Sequence, residues 1–148
     1  VRTDSRLSRV LHVLLHMSRD DPPMTSERIA AMLGTHAAVV RRTLAGLRKA
    51  GYVRSEKGHR GGWSLACDLA QVSLYDIYQA VGIERLYAIG LDQNNPDCAV
   101  EHAVNAALAD ALADAEALLV KRLRAVTLAD LARDFGQRMQ AFPQGLDH

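Results

Sequence analysis

Between residues 25 and 67 the sequence changes from a helical to an extended repeat, and this change restricts the fold more than any other feature. Thr25 or Ser26 offers an N-cap hydroxyl for a short helix, ERIAAML, that turns Ile29, Ala30 and Leu33 inward. Gly34 stands where a left-handed residue ends such a helix. Thr35 is expected to cap a second helix running to about residue 50, with Val40, Leu44 and Leu47 on one side and Gly51 as its stop. Two short helices across a tight glycine turn make a helix-turn-helix. Residues 52–56 and 63–67 then read as strands around the tip Lys57-Gly58-His59-Arg60-Gly61-Gly62, whose glycines tolerate positive φ. The expected fold class is mainly α with a small β-hairpin, a winged helix-turn-helix domain followed by a long dimerisation helix.

The flanking segments fit that frame. Over residues 5–18, Leu7, Val10, Leu11, Leu14 and Leu15 form one apolar helical stripe, which the DDPP of residues 20–23 stops. Ser73 caps a short helix carrying Leu74, Ile77, Tyr78 and Val81, and Gly82 closes it. Residues 83–96 are rich in turn formers and read as a loop or mobile linker. An alanine-rich helix is expected over residues 98–126, with Val100, Val104, Leu108, Leu112, Ala115, Leu119, Leu123 and Val126 at steps of three or four. It would span about 40 Å at 1.5 Å per residue, too long to be covered by a domain of some 90 residues. A second copy of the chain is the natural surface for its stripe, so a homodimer is expected, with Val104, Leu108, Leu112, Ala115, Leu119 and Leu123 in the interface. Thr127 caps a last short helix, LADLARDF, and residues 142–148 read as a frayed tail. The organisation is thus a DNA-binding domain over 1–82, a linker over 83–97, and a dimerisation helix with a short terminal helix over 98–148.

Charge divides the chain in the same way. Its formal net charge is +1, but residues 1–62 hold 12 basic and 5 acidic side chains, a net of +7. Residues 63–148 hold 6 basic and 12 acidic ones, a net of −6. A basic end of this kind points to a polyanion partner. No stretch approaches the ~18 apolar residues of a membrane span, and no signal-peptide run opens the sequence, so a cytoplasmic protein without membrane contact is expected. Two cysteines, Cys67 and Cys98, are too few for a secreted disulfide framework and form no CxxC zinc pattern. The sequence has no GxSxG, HExxH, P-loop or GxGxxG, and an enzyme is not expected.

With Val40 buried, 100° per residue places Ala38, Arg42, Ala45 and Lys49 on the opposite face of the second helix, with Arg41 and Arg48 to one side. Small residues let that helix enter a major groove, Arg takes guanine edges bidentately, and Lys reaches phosphate. Thr35 and His36 at its N-terminal end are further candidates for base contact. The hairpin carries Arg54, Lys57, His59 and Arg60 to a tip that suits a backbone or a minor groove. The expected partner is an operator in double-stranded DNA, bound sequence-specifically; the rival is a winged-helix module that contacts proteins only.

The run SERIAAMLGTHAAVVRRTLAGLRKAGYVRSEKGHRGGWSLA resembles the Rrf-two family of winged-helix transcription regulators, which includes the iron-sulfur cluster regulator and the nitric-oxide-sensitive repressor. The likeness continues through VSLYDIYQAVG, through NPDCAVEHAV at the head of the long helix, and through TLADL. The resemblance implies a recognition helix over 35–49, a wing over 57–62, and a homodimer acting as a repressor. The chain departs from the cluster-binding relatives, which carry three cysteines around the loop before the long helix, where this sequence has only Cys98. Four thiolate ligands are not available from one chain of two cysteines, so no cofactor is expected; a cluster with mixed ligands is the alternative.

Cys98 at the head of the long helix is the candidate redox sensor, because the helix N-terminus favours a thiolate while Asp97 and Glu101 oppose it. Cys67, on an alternating strand, reads as packing, and Trp63 as a hairpin anchor. His12 and His16 have the i, i+4 spacing of a metal pair but lack a third ligand, so no metal site is expected.

Overall fold

A computed structural model describes residues 4–19, 23–84 and 89–141. The elements are α1 (Arg6–Met17), α2 (Ser26–Leu33), α3 (Ala37–Lys49), β1 (Val53–Glu56), β2 (Gly62–Leu65), α4 (Leu74–Val81), α5 (Ala99–Arg124) and α6 (Leu128–Ala141), with a 3-10 turn at Leu69–Gln71 before α4. The two strands pair antiparallel, Val53 facing Leu65 and Ser55 facing Trp63. The fold is a winged helix-turn-helix with two further helices.

Each inward stripe meets in one core. Val10, Val13, Leu14 and Met17 of α1, Ile29 of α2, and Val40, Leu44 and Leu47 of α3 are buried together with Val53, Trp63, Ile77 and Leu128, so the buried side of α1 is turned from the expected stripe and leaves Leu7, Leu11 and Leu15 half-buried. Burying one such side chain stabilises the fold by roughly 1.5–3 kcal/mol, which is why the stripes decide the packing. At the start of α2 it is Thr25 that caps, its hydroxyl accepting the Arg28 N–H at 3.1 Å, and Gly34 closes the helix at φ 66°.

Helix α3 begins one residue later than the sequence suggested. Thr35 donates its N–H to the Ala30 carbonyl at 2.9 Å, which completes the closing turn of α2. The N-cap of α3 is therefore His36, which makes no side-chain capping bond. The last helix is longer than LADLARDF and runs to Ala141. An isolated interior glycine costs a helix only about 1 kcal/mol relative to alanine, so Gly136 does not end it. An Arg138–Asp134 ion pair at 2.9 Å reaches from the extended part back to the preceding turn, and α6 packs on α1. The long helix stops at Arg124, and Val126 leaves it. Residues 20–22 of the DDPP stop and the tail at 142–148 lie outside the described residues.

Two pairings have no local signature in the sequence. Met24 bridges to Trp63, giving the hairpin a one-residue third strand. Ser73 bridges to Thr127, through Leu74 N–H to the Val126 carbonyl and Leu128 N–H to the Val72 carbonyl, both at 2.9 Å. That second bridge joins two helix starts of the same design. Ser73 and Asp76 exchange side-chain and backbone bonds at α4, as Thr127 and Asp130 do at α6. It returns the chain after α5 to the winged-helix body, where Leu128 enters the core and α6 packs on α1 and the 3-10 turn.

Candidate nucleic-acid interface

Helix α3 turns Val40, Leu44 and Leu47 to the core, and the opposite side presents Ala38, Arg41, Arg42 and Lys49 to solvent, with Ala45 half-buried. Arg41 lies 3.6 Å from the Glu27 carboxylate, a long pair between exposed side chains that holds it weakly. Arg42 and Lys49 make no ion pair with any described residue. Thr35 is half-buried beside the closing turn of α2, and His36 is exposed at the entry to α3. Gly46 sits where α3 crosses α4, and a Cβ there would stand 2.5 Å from the Ala80 carbonyl oxygen.

The wing follows directly. Arg54 is exposed on β1 and its Nε donates to the Ser64 hydroxyl at 3.2 Å, across the strand pair. Lys57, His59 and Arg60 are exposed at the tip. Arg60 is the one non-glycine residue with positive φ among the described residues, at 66°, a conformation that costs on the order of 1 kcal/mol for a side chain with a Cβ. Gly62 lies so close to Met24 that a Cβ would meet its carbonyl oxygen at 2.7 Å, which keeps the root of the wing tight against the segment before α2.

Trp63 and Arg48 join wing and helix. The indole N–H donates to the buried Ser26 hydroxyl at 2.9 Å. The Arg48 guanidinium lies over the indole ring, 5.8 Å from its centroid, and donates to Ser55 at 3.1 Å. Sequence reasoning placed Arg48 on the flank of α3 and did not see this contact, since nothing local marks an arginine that reaches a hairpin. The one available hint was an indole immediately after the wing glycines.

The long helix is set apart from this surface. No residue of α5 is buried, and among the helices it packs chiefly on α4, where the Arg124 guanidinium lies 4.5 Å over the Tyr75 ring. The expected stripe divides: Leu112, Ala115, Leu119 and Leu123 are half-buried, whereas Val104 is 50% and Leu108 38% exposed. Val100 at 71% and Leu118 at 58% extend the exposed part, and Leu118 was not anticipated.

Cys98 is the exposed N-cap of α5, and its side chain makes no capping bond. The loop before it is tied to the helix: Asn95 N–H donates to the Glu101 carboxylate at 3.0 Å, Asn105 donates to the Asp92 carbonyl at 2.7 Å, and His102 bonds the Pro96 carbonyl. Cys67 is half-buried, and burial, followed by the nearby Asp68 charge, pushes its thiol up. His12 and His16 bring their Nε2 atoms to 3.1 Å, but no group of three or more His, Cys, Asp or Glu among the described residues could hold a metal. No helix among them is long and apolar enough to cross a membrane.

Comparison with known proteins agrees with this architecture. The Rrf2 family, described as an iron-dependent transcriptional regulator, matches residues 3–134. YwnA of Bacillus subtilis (strain 168), named for an HTH-type transcriptional regulator, is 33% identical over 129 residues, covering 86% of this chain and 95% of YwnA. Among solved structures, IscR of T. potens superposes with a TM-score of 0.66 at 18% identity, covering 90% of this chain and 88% of that one. A transcriptional regulator from Lactobacillus plantarum gives 0.75 at 22% identity, with 97% of each chain covered. At these identities the two structures speak for the fold alone.

Proposed function

The chain belongs to the Rrf2 family of transcriptional regulators, and from that premise we propose that it binds operator DNA sequence-specifically as a homodimer and acts as a repressor. The observation that carries the proposal is the basic surface of α3, exposed at Ala38, Arg42 and Lys49, tied by Arg48 to a wing whose tip exposes Lys57, His59 and Arg60. In this reading α3 enters the major groove. Arg42 takes base edges, with Thr35, His36 and Ala45 beside it, while Arg41, Lys49 and Arg54 meet phosphates and the wing tip follows the adjoining minor groove. The exposed stretch of α5 from Val100 to Leu118 supports the dimer, because apolar side chains this accessible along one helix favour a covering partner.

The family description implies iron, and the cysteines of one chain do not fit a cluster held by four thiolates, which leaves mixed ligation as the alternative. A thiolate-held cluster takes four cysteines, and this chain has Cys67, half-buried beside the wing, and Cys98, far along the sequence. We therefore read the regulator as working without a resident metal. The exposed thiol of Cys98 is the group an oxidant reaches first, and operator binding is expected to respond to mild peroxide in the wild type and not in Cys98→Ser.

The test is duplex selection from a random pool followed by titration across salt. Affinity should fall steeply with salt, and the selected site should hold two symmetric halves. Arg42→Ala should relax base preference by roughly 1–3 kcal/mol at one position, whereas Lys49→Ala should weaken all duplexes alike and reduce the salt slope by about 1. Binding that ignores salt, or a co-purifying protein partner with no duplex retardation, would replace this reading with the protein-contact module.

A further inference from the structure

We propose that Arg48 is a positioning residue that clamps the wing to the recognition helix and so fixes the spacing along the duplex between the bases α3 reads and the minor-groove segment the wing enters. The inference rests on the DNA-binding reading above.

A two-stranded hairpin is marginal by itself in water, so a wing keeps its angle only through what holds it to the body. Its root is held on one side by Trp63. Met24 and Trp63 exchange backbone bonds at 2.9 and 2.8 Å, and the indole N–H reaches the buried hydroxyl of Ser26 at the first turn of α2. These bonds fix the wing to the segment before α2 and to α2 itself.

Arg48 supplies the side-chain tie to α3. It stands in the last turn of that helix and engages both members of one cross-strand pair, the ring of Trp63 on β2 and the hydroxyl of Ser55 on β1. A planar guanidinium suits this task, since it stacks on a ring through its face while donating in its plane. Its neighbours Arg42 and Lys49 make no such contact with described residues. Of the cations along α3, Arg48 is the one whose bonds lead to the wing, and that separates it from the groups assigned to phosphate and bases.

The experiment uses the full-length wild type with Arg48→Ala, Arg48→Lys, Ser55→Ala and Lys49→Ala, titrated against the selected operator and against versions lengthened or shortened by one base pair between the bases α3 reads and the minor-groove segment the wing enters. The wild type should lose tenfold or more on the altered spacings. Arg48→Ala should bind the native spacing about two- to fivefold more weakly, the size of one exposed cation–π contact. Its loss on the altered spacings should shrink to threefold or less, with an unchanged salt slope. Arg48→Lys keeps the charge without the planar fork and should remain relaxed, and Ser55→Ala should move the same way by a smaller amount. Trp63 is the sole tryptophan, so its emission reports the clamp directly and should shift in Arg48→Ala without DNA. A salt slope reduced by about 1 with the spacing penalty intact, or full rescue by Arg48→Lys, makes Arg48 a phosphate contact and overturns the proposal. Unchanged Trp63 emission in Arg48→Ala overturns it whatever the DNA result. Failure of the wild type to retard any duplex sinks the DNA-binding reading itself, and the spacing role with it.

Discussion

Replacing Gly46 by alanine sets two effects against each other, and the contact with α4 decides the sign. Inside a helix, alanine is favoured over glycine by about 1 kcal/mol, so local propensity alone says Gly46→Ala stabilises. The new Cβ, however, would lie 2.5 Å from the Ala80 carbonyl oxygen, a backbone atom of α4 that no rotamer change can move aside. Forcing an extra carbon into a filled site costs typically 1–3 kcal/mol, and a backbone obstacle places this case in the upper part of that range. The net expectation is a loss of about 1–2 kcal/mol, a fall in Tm of roughly 2–8 °C for a chain of this size. Gly136 is the control, because it lies inside α6 with nothing within 4 Å of a Cβ. Gly136→Ala should gain about 0.5–1 kcal/mol from propensity alone. Thermal and urea unfolding of the two variants side by side give the answer. Operator affinity should fall only for Gly46→Ala, since α3 must move off α4. A Tm raised by both substitutions would refute the claim that close backbone approach sets the seat of the recognition helix.

Other outcomes follow from the same surfaces. Val104→Asp combined with Leu108→Asp should drop the mass from dimer to monomer in light scattering and remove the rise of the unfolding midpoint with protein concentration that a dimer shows; an unchanged mass contradicts the stripe. Iodoacetamide at pH 8 should label exposed Cys98 before Cys67, whose thiol is pushed up by burial, and peptide mass spectrometry showing equal rates would count against this. Asp130 is held below the usual carboxylate range by its hydrogen bonds with Thr127 and by Arg133. Its contribution is therefore complete above the unfolded-state value of about 3.9 and lost as pH falls through the lower folded value. Acid titration of stability should show that loss in the wild type and not in Asp130→Asn.

The parts of the fold that were legible in the sequence are those set by neighbours along the chain. Gly34, the stripes of α2 and α3, and Gly58 each act within a few residues, and each stands where its local chemistry required, whereas Gly62 answers to the distant Met24 carbonyl. What escaped was set by residues far apart. Thr35 was a plausible cap until its N–H was taken by α2, and LADLARDF a plausible last helix although α6 runs on through Gly136 to Ala141. Neither the bridge of Ser73 to Thr127 nor the reach of Arg48 to Trp63 has any periodicity to read. The stripe on α5 was visible as one feature, but only packing against α4 shows that Leu112, Leu119 and Leu123 face inward while Val104 and Leu108 do not.

That division explains why α5 can be stiff without being buried. With no buried residue, it draws little from the core and must draw on its own composition. Residues 99–124 include nine alanines, Glu101 lies in the first turn, and Lys121, Arg122 and Arg124 lie in the last, where each charge sign opposes the helix dipole. Such a helix, about 39 Å long, keeps its line between the body and any partner. Within the proposed dimer, stiff arms of this length hold the two recognition helices at one separation. The selected half-sites should then recur at a fixed interval, near one helical turn of about 34–36 Å or a multiple of it. Proline placed at Ala111, in the exposed middle of α5, breaks that line without touching the winged helix. Selection with Ala111→Pro should return the same half-site sequence at scattered spacings. Unaltered spacing would mean that the arm does not set the register of the dimer on DNA.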